Sequence, residues 1–114
     1  MDIEVCKKEN GVLLSLMDRV DSFNYDETTR QIRSKVSPKR NKVIAIDLSK
    51  VQFLSLKAIR FLHQMAKEAK ENGGSLALVG VSEKLKRQID IYVSLDPFVV
   101  YKSIKDWEET VTCS

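Results

Sequence analysis

The chain has little of what most active sites are built from. It holds one histidine, His63, and two cysteines, Cys6 and Cys113, near opposite ends. They form no CxxC pair, and with a single histidine no protein-only zinc site is expected. A Cys6–Cys113 disulfide is disfavoured in a reducing compartment, and two unpaired thiols are expected. No apolar run approaches the roughly 18 residues that cross a bilayer. Met1-Asp2-Ile3-Glu4 lacks the basic start and apolar run of a secretory signal. A soluble cytosolic protein without membrane insertion is therefore expected. The formal net charge of +3 is too small to argue for nucleic acid. The densest basic stretch, Lys35 to Lys42 around Pro38, has no interleaved aromatic residues to stack on bases, and it reads as a solvated loop. There is no GxSxG, no P-loop and no HExxH, and no cysteine falls near a histidine in a nucleophile pattern. No cofactor is implied.

What is present is patterning. The 114 residues suffice for one domain with its own core, and no repeat, low-complexity tract or second domain interrupts them. Val43 to Leu48 and Ser75 to Val81 are apolar runs that do not alternate with polar residues, the pattern of strands covered on both faces in a parallel sheet. Between them Ala58, Phe61, Leu62, Met65, Ala66 and Ala69 recur at helical spacing, opposite Lys57, Arg60, Gln64, Lys67, Glu68 and Glu71. The spacing predicts a helix from Leu56 to about Asn72, with Gly73 or Gly74 free for a left-handed cap. Two parallel strands joined by such a crossover form a βαβ unit, and its hand is almost always right.

The flanks add to this unit. Ile3 to Lys8 alternates, Asn10-Gly11 is a hairpin signal, and Val12 to Met17 reads as a second strand. Asp18 to Asn24 is turn-like. Ser22 or Asn24 can cap a helix running to about Val36, before Pro38, with Phe23, Ile32 and Val36 as its apolar edge. Ser82 caps a further helix whose buried stripe is Leu85, Ile89 and Tyr92 or Val93. Phe98 to Tyr101 is a short last strand. Ser103 and Asp106 resemble a capping box before a terminal helix with Ile104, Trp107 and Val111 on one face. The order β-β-α-β-α-β-α-β-α predicts an open α/β arrangement, with a mixed central sheet and helices packed mainly on one face.

This order, with Val43 to Val51 as central strand and turn, Gly73-Gly74 before Ser75 to Ser82, the short acidic turn Val20-Asp21 and Asp96-Pro97-Phe98 ahead of the last strand, resembles the STAS domain. That family comprises sulfate-transporter domains and bacterial anti-sigma factor antagonists. The resemblance covers nearly the whole chain. It implies a non-enzymatic module in a bacterial cytosol that binds an anti-sigma factor or serine kinase-like protein. A phosphatase is a further possible partner. Family members usually carry Asp-Ser-Ser-Gly at the start of the central helix, and a partner kinase phosphorylates the first serine. Here the matching residues are Ser55-Leu56-Lys57-Ala58. Ser55 stands in the aspartate's place and Leu56 in the phosphoacceptor's, and leucine has no oxygen to modify.

Ser55 therefore either caps the helix and does nothing more, or is a shifted phosphorylation site beside free backbone N–H groups. Lys57, a cation in a first helical turn, is either surface variation or a contact to an acidic partner. The implied docking surface is Leu54, Ser55, Leu56, Lys57, Arg60 and Asp21. Two other readings are carried. One is an accessory subunit docked on a transporter ATPase. The other is a nucleotide-handling enzyme using Asp47 at a strand's carboxyl end, where a lone carboxylate otherwise serves as a turn acceptor.

Overall fold

The computed structural model describes residues 3–8, 11–21, 23–37, 43–93 and 98–112. The elements are β1 (Glu4–Lys8), β2 (Gly11–Val20), α1 (Tyr25–Lys35), β3 (Val43–Leu54), α2 (Leu56–Glu71), β4 (Ser75–Val79), α3 (Glu83–Tyr92), β5 (Val99–Tyr101) and α4 (Ile104–Thr112). The five strands form one sheet in the order β1-β2-β3-β4-β5. β1 runs antiparallel to β2, with Lys8 opposite Gly11, and every later pairing is parallel. The mixed sheet expected from the hairpin and the crossovers is thus the one observed. Asn10, Ser22, the basic stretch 38–42, Asp96-Pro97 and Cys113 fall outside the described residues, as does the side chain of Val111.

Period-two alternation divides β2, β3 and β4 between two cores. Leu14, Leu16, Ile44, Ile46, Leu48, Leu76 and Leu78 point to one face, where Ile32 of α1, Ile59, Leu62 and Met65 of α2 and Leu85 and Ile89 of α3 cover them. Burying each such side chain is worth about 1.5–3 kcal/mol, so this larger core dominates stability. The opposite face carries Leu13, Ala45, Ala77 and Val79, covered by Trp107 of α4 with Ile104 and Tyr101 against its edge. Leu13 lies opposite Ala45 and Ala45 opposite Ala77, so two alanines side by side leave room for an indole ring. Three helices on one face and one on the other is the layering the element order predicts.

Two strands run longer than their apolar runs. β4 accompanies β3 only as far as Asp47, opposite Val79. Beyond that point β2 and β3 continue alone as a two-stranded ribbon, with register shifts between Ser15 and Met17 and between Asp18 and Arg19. Asp18 adopts φ 64° there, a left-handed conformation that aspartate tolerates better than most residues. The sequence pattern ends β2 near Met17 and β3 near Leu48, because Asp18, Ser49 and Lys50 look like turn residues. Bulges absorb these polar residues and return Val20, Val51 and Leu54 to the main core. The ribbon lifts the start of α2 clear of the sheet's other strands.

One expected apolar edge is corrected. Phe23 is 97% exposed and is no part of α1's buried stripe, which is Thr28, Ile32 and then Val36. Of the two alternatives at the end of α3, Tyr92 is exposed and Val93 packs half-buried against the main core, beyond Leu85 and Ile89.

Candidate functional site

The turn between β3 and α2 is held on three sides. Ser55 caps α2: its Oγ accepts the Ala58 N–H at 3.2 Å, and its carbonyl accepts the Ile59 N–H at 3.0 Å. The Ser55 N–H donates to the Val20 carbonyl at the tip of β2, 2.8 Å away. Gln88 Nε2, from α3, donates to the Leu54 carbonyl at 3.1 Å. Both polar groups of the Leu54–Ser55 peptide are therefore tied to elements distant in sequence.

Around this fixed point the side chains sort by exposure. Leu54 is fully buried, so it is corrected from a surface residue to a core one. The ribbon's second irregularity skips Gln52, between the Asp18–Val51 and Arg19–Phe53 pairs, and beyond it Leu54, opposite Val20, turns inward while Phe53 faces out. Leu56 is 37% exposed, and Lys57 and Arg60 lie on the exposed side of α2. Lys57 is not a loose cation, since its Nζ sits 5.6 Å from the centroid of the Tyr25 ring in α1. Asp21 is half-buried and has a local task. Its Oδ1 accepts the N–H groups of Phe23 and Asn24 at 2.9 and 3.2 Å. The Asn24 side chain returns the bond, with Oδ1 accepting from the Asp21 N–H at 2.9 Å and Nδ2 donating to the Arg19 carbonyl at 3.0 Å. Asn24 occupies the cap position of α1 but makes no side-chain bond to the helix, because its amide closes this loop instead.

Asp47 lies on the α4 face and is buried. Its Oδ1 accepts the Ser49 N–H at 3.0 Å, and the Ser15 hydroxyl donates to Oδ2 at 3.4 Å. Both oxygens are engaged at the start of the β3 bulge. His63 is half-buried against Phe98, with ring centroids 5.6 Å apart at 67°, in edge-to-face packing. Cys6 is exposed on the edge strand β1. Among the described residues no three His, Cys, Asp or Glu side chains gather closely enough to hold a metal ion. No helix among them is long and apolar enough to cross a membrane.

Sequence reasoning missed Gln88 and Arg19. Gln88 lies 34 positions from its acceptor, and nothing local signals such a bond. Arg19 seemed to sit in a turn, yet it is a ribbon residue whose guanidinium lies 5.9 Å from the Phe53 ring centroid. The Asp21 loop was legible in principle, because aspartate and asparagine readily bond their own backbone two or three residues on.

The cap gives a first prediction. Ser55→Ala should lower unfolding free energy by about 1 kcal/mol, and Ser55→Thr by less. Urea titration followed by circular dichroism measures both, and an unchanged midpoint for the alanine variant would show that the hydroxyl contributes nothing.

A mixed sheet with three crossover helices on one face, and a capped turn carried on a two-stranded ribbon, defines a small α/β domain. The chain belongs to the STAS domain family, whose model matches residues 2–107. Among solved structures, it resembles an anti-sigma-factor antagonist STAS domain protein from Planctomyces limnophilus, with a TM-score of 0.82 at 18% identity over 96% of each chain. An anti-sigma factor antagonist from Mycobacterium paratuberculosis gives 0.82 at 19% identity, over 97% of this chain and 93% of that one. The anti-sigma factor antagonist SpoIIAA, in its unphosphorylated form, gives 0.74 at 11% identity, over 97% and 98%. At such identities the likeness is one of fold.

Proposed function

We propose that this chain is a non-enzymatic regulatory binding module of the bacterial cytoplasm. It would dock on an anti-sigma-factor-type serine kinase through the turn at the start of α2. The observation that carries this reading is Leu56, 37% exposed in the first turn of α2, next to the capping Ser55. An exposed leucine in the family's phosphoacceptor place keeps a contact surface and removes the oxygen that would switch it off. The reading is constitutive binding. The engaged oxygens of Asp47 support a structural carboxylate over a catalytic one. Ser55 is the one hydroxyl within the motif. A phosphoryl group there would meet the first N–H groups of α2, where no acidic residue opposes it.

The test incubates the protein with its cognate kinase and ATP and maps phosphate by mass spectrometry. The expected result is unmodified protein that binds the kinase. Leu56→Glu should weaken that binding by about tenfold, as loss of a central apolar contact does. Ser55→Ala should bind like wild type. Stoichiometric phosphate on Ser55, with binding lost in Ser55→Asp and kept in Ser55→Ala, would replace constitutive binding with a shifted switch. Full binding by Leu56→Glu would remove this turn from the interface.

A further inference from the structure

We infer that the docking surface extends onto the loop between β2 and α1, with Phe23 as its anchor, and that it fits a protein partner offering an apolar pocket rimmed by carboxylates. The inference rests on the docking reading above and names the partner's chemistry.

Phe23 is 97% exposed, the most exposed of the large apolar side chains among the described residues. Its loop is not slack. Four hydrogen bonds tie Asp21, Phe23 and Asn24 to one another and to Arg19. A loop tied this closely, whose apolar ring points into water, has the form of a pre-ordered contact, because little ordering remains to oppose binding. The same loop adjoins the α2 cap, since Val20, just before Asp21, accepts the Ser55 N–H. Arg19 joins the two halves: its carbonyl accepts from Asn24 and its guanidinium covers Phe53. Phe23, Phe53 and Leu56 are thus three exposed apolar side chains on neighbouring, mutually bonded segments.

Charge indicates what covers them. Arg19 and Lys57 are each held over an aromatic ring, and Arg60 follows one turn on. Among the described residues, the ion pair between Arg33 and Glu68 lies farther along α1 and α2, and none of these three cations has a carboxylate partner. Asp21 does not offset them outward, since its oxygen is engaged by two backbone N–H groups. Asp26 and Glu27, in the first turn of α1, face that helix's own positive end. Cations placed without counter-ions around an apolar centre match an acidic rim around an apolar pocket.

The probe is the kinase-like protein that immobilised wild-type chain captures from lysate of its own source, then identified and purified. Binding is measured by calorimetry at several salt concentrations. Phe23→Ser should keep the wild-type melting temperature, because the side chain touches almost nothing, and should weaken binding by about tenfold or more. Phe23→Trp should retain binding. Wild-type affinity should fall as salt rises, and Arg19→Gln with Lys57→Gln should flatten that dependence. If the purified protein binds wild type and Phe23→Ser alike, or if affinity ignores salt, the inference is overturned while docking through Leu56 stands. If wild type captures no kinase-like protein, the docking reading and the inference fall together.

Discussion

Trp107→Ala should cost about 3–5 kcal/mol of stability, the largest loss expected of any single truncation in this fold. Trp107 is 1% exposed and is the main cover that α4 lays over Leu13, Ala45, Ala77 and Val79. The two alanines that make room for the indole have no volume to close the gap it would leave, so the cavity term is large. α4 also packs Ile104 against this core. Its cap, the Asp106 N–H on Ser103 Oγ at 3.2 Å, is local and worth only about 1 kcal/mol. Urea titration by circular dichroism measures the loss directly, with Trp107→Phe expected to retain part of it. In the wild type the same residue is the chain's one tryptophan, so its fluorescence reports the undocking of α4. A loss under about 1 kcal/mol would mean the smaller core is covered by something other than this ring. Gly11 tests the same packing from the other side. A Cβ there would stand 3.1 Å from Trp107 Cζ2 and 3.0 Å from the Val43 carbonyl oxygen, so Gly11→Ala should destabilise less in the Trp107→Phe background than alone.

How much of this was legible beforehand depends on the range of the interaction concerned. The Val43 run, the helical spacing from Ala58 to Ala69 and the serine caps at Ser55 and Ser82 are local signals. Both caps form, with Leu85 N–H on Ser82 Oγ at 3.1 Å. The helix-ending glycine is also local, and Gly73 takes φ 82°. The ribbon was not legible, because Ser49 and Lys50 become strand only through pairing with β2, some thirty positions away. That blind spot reached the site. Past two register shifts, alternation no longer says which of Phe53 and Leu54 faces out, and Leu54 was placed on the surface when it belongs to the core. Phe23 erred the other way. An apolar residue beside a helix start counts as core by pattern, but Asp21 and Asn24 compete for the backbone and set the ring outside. The turn proposed for docking was singled out because a family motif marks it. Its bracing by Gln88 needed coordinates.

Gly80→Ala should cost about 2–4 kcal/mol, far more than one added methyl suggests. Gly80 ends β4 at φ 69°, where an L-residue carries about 1–2 kcal/mol of strain before any contact is considered. The contact is also poor. A Cβ there would lie 2.9 Å from Ser49 Cβ and 3.3 Å from Asp47 Oδ1, closer than the bulge allows without moving. These are the atoms that start the ribbon: Asp47 holds the Ser49 N–H, and Ser49 opens the segment that carries Phe53 and Ser55. Displacement at Ser49 should therefore travel along β3 to the capped turn, 6 residues on at Ser55. The expected result is a lower urea midpoint together with faster hydrogen exchange at the Ser55 amide, whose partner is Val20 on the other ribbon strand. Gly73→Ala is the internal control. Its φ is similarly positive at 82°, but an added Cβ meets nothing within 4 Å, so it should show the backbone strain alone and leave the Ser55 amide protected. Equal losses from the two substitutions would mean that the contact with Ser49 is relieved without cost, and that β4 does not brace the ribbon from below.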